Sequence, residues 1–145
     1  MKKRLIILFL SLLLILLATN TFAELSRVCT EYEAEKAEEV AGNVRSWEEL
    51  YKSYKLYRHC DDGAIGEGFS ESVTLILSKS WRQINKLKKI IQTDNAFETF
   101  VIKHIDETVP EERLELISKL AATRCPSSAK SLCEKIGSTA YNKRP

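Results

Sequence analysis

Asp61 and Asp62, with Glu67 one turn later and Gly63, Gly66 and Gly68 between and beside them, form the compact acidic set of this sequence. Two carboxylates can divide acid and base roles when a fold holds them about 5–9 Å apart across a substrate. Adjacent aspartates at a helix start have a plainer task. They accept hydrogen bonds from free N–H groups and favour the positive end of the helix dipole. The residue types fit capping first and a partner-binding acid second. His59 stands at a helix end, where an imidazolium complements the dipole. His104 lies between Val101 and Ile105 on an apolar stripe, the position of a core or interface histidine. Neither histidine has a third ligand at metal-binding spacing, and there is no CxxC motif. No Ser-His-Asp or Cys-His set is evident. The residues point to no enzyme, no metal and no cofactor.

The elements that must position these residues begin after an address. Lys2, Lys3 and Arg4 precede an apolar run from Leu5 to Ala18, broken only by Ser11, and Thr21-Phe22-Ala23 offers small residues at −3 and −1. This is the layout of a secretory signal over residues 1–23. The run is shorter than the roughly 20 apolar residues of a spanning helix. Cys29 follows Val28 and does not sit at the cleavage site, which argues against a lipoprotein. The short basic start has a bacterial look, and the expected destination is periplasmic or secreted, without stable membrane insertion after cleavage.

Removing 23 of the 145 residues leaves 122, one domain over residues 24–145. Removing the leader's three positives from 22 basic residues leaves 19 against 20 acidic ones, net −1. Nothing in that balance calls for nucleic acid. Charge is unevenly spread. Glu24 to Leu50 is rich in glutamate, whereas Tyr51 to Gln92 holds eight Lys or Arg against four acids. Solvated helix faces account for this; an acidic arm and a basic docking patch are the sharper alternative.

Helix signals dominate the mature chain. A first helix is expected from about Leu25 to Val40, with Leu25, Val28, Cys29, Tyr32 and Val40 as its stripe and a turn at Gly42-Asn43. Ser46-x-x-Glu49 is a capping box for a second helix, in which Trp47, Leu50, Tyr51, Tyr54 and Tyr57 form an aromatic face ending near His59-Cys60. That face suits a core, or an interface flanked by Lys52, Lys55 and Arg58. Asp62 caps a third helix. Gly66 and Gly68 in its first turns each cost about 1 kcal/mol relative to alanine, which implies a close approach by another helix or a partner. Trp81 to Ile91 is either an extension or a separate helix. Asp94 caps the next, carrying Phe97, Phe100, Val101, His104 and Ile105. Thr108 caps another, with Glu111 completing a capping box. A short last helix runs from about Ser128 to Ile136, ended by Gly137. The expected fold is all-α, a single compact bundle of six or seven short helices stapled by two disulfides.

Cys29, Cys60, Cys125 and Cys133 are an even set in an exported chain, which implies disulfides. Cys29 and Cys60 lie nearly equidistant from the Gly42-Asn43 turn, and Cys125 and Cys133 flank the last turn. Hairpin geometry favours Cys29–Cys60 with Cys125–Cys133. The rival is Cys60–Cys125 with Cys29–Cys133.

The segment from Tyr57 to Ser70, containing Cys60-Asp61-Asp62-Gly63 and Glu67-Gly68, resembles small exported bacterial helical proteins, together with Phe100 to Asp106 and Arg124-Cys125-Pro126. In size, class and that acidic pattern the chain is also similar to the immunity proteins that guard the periplasm against amidase effectors of type VI secretion. Members of that family are signal-bearing, helical, disulfide-containing and often dimeric, and block a peptidoglycan amidase by inserting into its active-site cleft. The resemblance implies a protein partner, a peptidoglycan hydrolase, and leaves homodimerisation open. Its motif carries no inhibitory residues over one by one. The residues themselves nominate Arg58, His59, Asp61, Asp62, Gly63, Gly66, Glu67 and Gly68 as the contact surface. The alternatives are a structural or adaptor protein of the cell envelope, and a ligand carrier or enzyme. The protein recovered outside the cytoplasm is expected to begin at Glu24. Intact-mass spectrometry checks this, and a chain still beginning at Met1 overturns it.

Overall fold

Thr30 starts the first helix, α1 (Glu31–Ala41), with a capping box of its own: its hydroxyl accepts from the Glu33 N–H, and the Glu33 carboxylate accepts from the Thr30 N–H. The computed structural model describes residues 27–144, so the expected leader, residues 1–23, and its expected cleavage site lie outside them. The helix starts later than the expected Leu25, because the Thr30 cap sets its first turn and residues 27–30 precede it without helical structure. Of the expected stripe, Leu25 lies outside the described residues and Cys29 packs partly buried against the core, but Val28 and Tyr32 depart from it. Val28 and Tyr32 are 79% and 70% exposed, and α1 instead buries its small residues, Ala37 and Ala41.

Ser46 caps α2 (Trp47–Tyr57), accepting from the Glu49 N–H as expected. A 3-10 turn, Arg58–Cys60, ends it. Trp47, Leu50 and Tyr54 are buried, and the Tyr54 ring packs 5.1 Å from Phe97 and 4.8 Å from Phe100. The aromatic face is core. Asp62 caps α3 (Gly63–Lys79) by accepting from the Gly63 N–H at 2.8 Å. This helix is buried along its length, from Ile65 through Phe69 and Val73 to Ile76 and Leu77. It packs against α1, α2 and the later α6 (Glu111–Thr123). A Cβ on Gly68 would lie 2.9 Å from the Ala41 Cβ and 3.0 Å from the Gly42 nitrogen. Gly68 thus answers to α1, not to a partner. The Ser72 hydroxyl donates to the Ala41 carbonyl at the same crossing.

A second 3-10 turn, Trp81–Gln83, separates α3 from α4 (Ile84–Thr93), so the Trp81 to Ile91 region is a helix of its own. Asp94 stands at the start of α5 (Asn95–Lys103), yet its side chain does not cap it. The carboxylate accepts from the Tyr51 hydroxyl at 3.1 Å instead. The Thr108 capping box is also absent. Pro110 precedes α6 directly, and Thr108 gives both its N–H and its hydroxyl to Asp106.

The last helix, α7 (Lys130–Asn142), follows a third 3-10 turn, Ser127–Ala129, and runs straight through Gly137. A Cβ there would meet the Ala121 Cβ at 2.9 Å, so this glycine permits close packing and ends nothing. Cys125 pairs with Cys133 while Ala121 faces Gly137, the reversed order of an antiparallel hairpin. Seven α-helices and no strand make up the described residues. No helix among them is long and apolar enough to cross a membrane.

Both favoured disulfides are present: Cys29–Cys60, spanning 31 residues, and Cys125–Cys133, spanning 8. Chain-entropy arithmetic gives about 3.7 kcal/mol for the longer loop and about 2.5 for the shorter. Replacing Cys29 and Cys60 by alanine should lower the unfolding free energy more than replacing Cys125 and Cys133, by about 1 kcal/mol. Urea denaturation checks the order, and a reversed order overturns it.

Candidate functional site

The turn after Cys60 carries Asp61 to the mouth of a recess of about 180 Å³. Asp61, Asp62, Gly63, Gly66 and Glu67 line one side of it; Lys103, His104, Asp106 and Thr108 line the other, and Ser70 its base. Two stretches some forty residues apart, two of the three on which the resemblance rests, meet here. α3 supplies Gly66 and Ser70 one turn apart, and the C-terminal end of α5 delivers Lys103 and His104.

His104 is the centre. It is 2% exposed, with its ring 4.4 Å from that of Phe100 and 5.8 Å from that of Phe69. Its Nε2 lies 3.2 Å from Asp61 Oδ2, and its Nδ1 lies 3.0 Å from Ser70 Oγ. Ser70 Oγ in turn sits 2.6 Å from Asp106 Oδ2 and 3.1 Å from the Gly66 carbonyl. Protons decide how these contacts are used. An ionised carboxylate only accepts, and a hydroxyl has one proton to give. Ser70 therefore shares its single proton among the Gly66 carbonyl, His104 Nδ1 and Asp106, and so bridges α3, the end of α5 and the loop that follows it.

Lys103 adds a bond to Asp61 Oδ2 at 2.8 Å from the exposed side. Burial raises the Asp61 pKa, but the bonds from His104 and Lys103 outweigh it, and the carboxyl sits below its ordinary value. Burial acts likewise on Asp106, where the Ser70 and Thr108 bonds hold the pKa down. The second Asp61 oxygen, Oδ1, is buried without a hydrogen-bond partner among the described residues. It sits 3.3 Å from where a Cβ on Gly66 would stand, so glycine leaves it room.

Serine, histidine and aspartate in line suggest a nucleophile, but the geometry argues against that use. Ser70 is 1% exposed, and its hydroxyl proton is taken up by the Gly66 carbonyl of its own helix and by Asp106. The set is a strut between α3, the end of α5 and the turn after Cys60.

The nominated residues divide. Asp61, Asp62, Gly63, Gly66 and Glu67 share the recess, with Asp62, Gly63 and Glu67 exposed. Arg58 turns back to the Tyr54 hydroxyl at 3.2 Å and over its ring. His59 faces α1, with Nε2 3.3 Å from Glu33 Oε1. Bonds from Thr30, then His59 and Arg27, hold the Glu33 pKa down to about 2. His59 also stands beside Cys29 and Cys60, but those sulfurs are joined, so the trio is not a metal site. Sequence reasoning misses Ser70, Lys103 and Asp106. A serine one turn after Gly66, and an acid two residues after His104, are the available signals.

Stability drawn from lowered carboxylates is present above the ordinary aspartate range and is lost as pH falls through the folded-state values. The unfolding free energy should therefore decline below about pH 4. Asp61→Asn should cost about 1–3 kcal/mol at pH 7 and flatten that decline. Denaturation midpoints from pH 7 to pH 2 check both effects, and an unchanged acid limb overturns the assignment. No family model, curated protein or solved structure matches this chain.

Proposed function

We propose that this chain is a periplasmic immunity or inhibitor protein that binds and blocks a peptidoglycan amidase. It acts by contact and carries out no turnover. The observation that carries the reading is the contrast within one small surface. Asp62 and Glu67 are exposed, and Glu67 makes no ion pair with the described residues. Immediately beside them, Asp61 is locked by His104 and Lys103, and Cys60 by Cys29. A rigid acidic edge loses little conformational entropy on docking, which is how a preorganised inhibitor gains affinity. Two closed disulfides suit an oxidising compartment outside the cytoplasm. The sequence resemblance supplies the class of target, and the edge from Asp61 to Glu67 supplies the contact.

Affinity capture with the purified protein against secreted and periplasmic extract tests the reading. A peptidoglycan hydrolase retained tightly, and inhibited, supports it. Recovery of envelope components alone, with no hydrolase, moves the assignment to an envelope adaptor. Asp62→Arg and Glu67→Arg are each expected to weaken capture at least tenfold, a charge reversal at an interface costing about 2 kcal/mol or more. Both should leave the far-UV helix signal intact. Glu67→Arg is the cleaner variant because it spares the Asp62 cap. Unchanged capture by both would remove this edge from the interface.

A further inference from the structure

A larger recess lies elsewhere. A cleft of about 800 Å³ opens where the C-terminal end of α3, the turn Trp81–Gln83, the start of α4 and the end of α6 converge. Lys79, Arg82 and Arg124 line it, and no carboxylate does. None of these three cations lies within 4.0 Å of a carboxylate among the described residues, whereas Lys86 pairs with Glu48 at 3.1 Å and Lys103 with Asp61 at 2.8 Å. Lys79 and Arg82 belong to the basic stretch that the sequence singles out and that the acidic edge does not use.

Part of this charge serves the helices. Lys79 stands in the last turn of α3 and Arg124 at the C-cap of α6, where cations complement the negative ends. Each end offsets only about half a charge. Arg82, in the 3-10 turn, answers no such terminus. The start of α4 adds its positive end, with no side chain capping it. The cleft keeps a net charge of about +2.5.

Its neutral groups also donate. Asn85 Oδ1 accepts from the Ser128 hydroxyl, which leaves the Asn85 amide N–H groups to offer. Ser80 places a hydroxyl on the rim. The Trp81 indole donates to the Arg124 carbonyl at 3.0 Å and pins the two walls together. Guanidinium forks match phosphate oxygens in pairs. A monocarboxylate would balance one of the charges, whereas a phosphate group carries close to two. The volume falls within the roughly 300–1,000 Å³ of small-molecule sites.

We infer that this cleft is a binding site for a phosphate-bearing ligand, held by Lys79, Arg82 and Arg124. The site is independent of the amidase-inhibitor reading and stands if that reading falls. The phosphate can come from a soluble phosphorylated molecule or from a lipid headgroup.

Two probes separate these sources, both used on the purified, disulfide-intact protein at low ionic strength. Millimolar pyrophosphate should shift the Trp81 indole N–H resonance in ¹H–¹⁵N spectra. Vesicles of phosphatidic acid in phosphatidylcholine, whose headgroup is a phosphomonoester, should sediment the protein only if the source is a headgroup, with pure phosphatidylcholine vesicles as the control. Arg82→Gln with Arg124→Gln removes two forks and leaves the Trp81 bond, which is to a backbone carbonyl. This double variant should weaken either response at least tenfold, with an unchanged helix signal. No response to either probe, or an equal response in the double variant, overturns the site.

Discussion

A buried, hydrogen-bonded histidine with carboxylates on both sides is the constraint on which the acidic end of this fold depends. Burying a polar group without a compensating hydrogen bond costs roughly 2–7 kcal/mol, so such a group persists when its nitrogens find partners. His104 meets that condition through Asp61 on one nitrogen and Ser70, backed by Asp106, on the other. The partners come from separate segments, so the requirement becomes a topological one. The turn after Cys60, the first turns of α3 and the end of α5 must meet at one point. Cys29–Cys60 ties the start of α1 to the same turn. The acidic edge is rigid because the groups beneath it have no second way to satisfy their hydrogen bonds.

Close packing imposes the other constraint. α1 crosses α3 at Ala41 and Gly68, and α6 meets α7 at Ala121 and Gly137, with no room for a further Cβ at either crossing. Small residues at both contacts bring backbones together, and each glycine's cost in helix propensity is offset by burial on both sides. α1 shows the consequence. Its outward face is charged and its inward face is alanine, so a hydrophobic stripe search finds little to place it by.

Periodicity and cap chemistry make most of the fold legible. Ser46, Asp62 and the aromatic stripe of α2 behave as their spacing predicts, and hairpin distance alone favours the correct cysteine pairing. Two of the errors share a cause. Asp94 and Gly137 carry cap or stop residue types, but tertiary partners claim them first, Tyr51 and Ala121 respectively, whereas Thr108 is claimed locally by Asp106 two residues before it. Local cap rules cannot see a partner that is distant in the chain. The site is obscured in the same manner. Asp61 and Glu67 are visible as a compact acidic set, whereas Ser70 and Asp106 look like an ordinary helix serine and loop acid until His104 is placed between them.

The dipole of α3 relates the two charged regions to each other. Asp62 stands at its positive N-terminal end and Lys79 in its negative C-terminal turn, so each sign lies where the helix stabilises it. Seventeen residues separate the ends by about 25 Å. That span exceeds the reach of a small ligand, and it exceeds the roughly 10 Å screening length at moderate salt. The acidic edge and the basic cleft are therefore electrically separate surfaces on one rigid helix. Occupying the cleft should not neutralise the edge, and a macromolecule docked at the edge leaves the cleft's charge in place. Asp62 and Lys79 follow one helix polarised end to end, whereas Arg82 and Arg124 are brought to the cleft by the turn after it and by the end of α6.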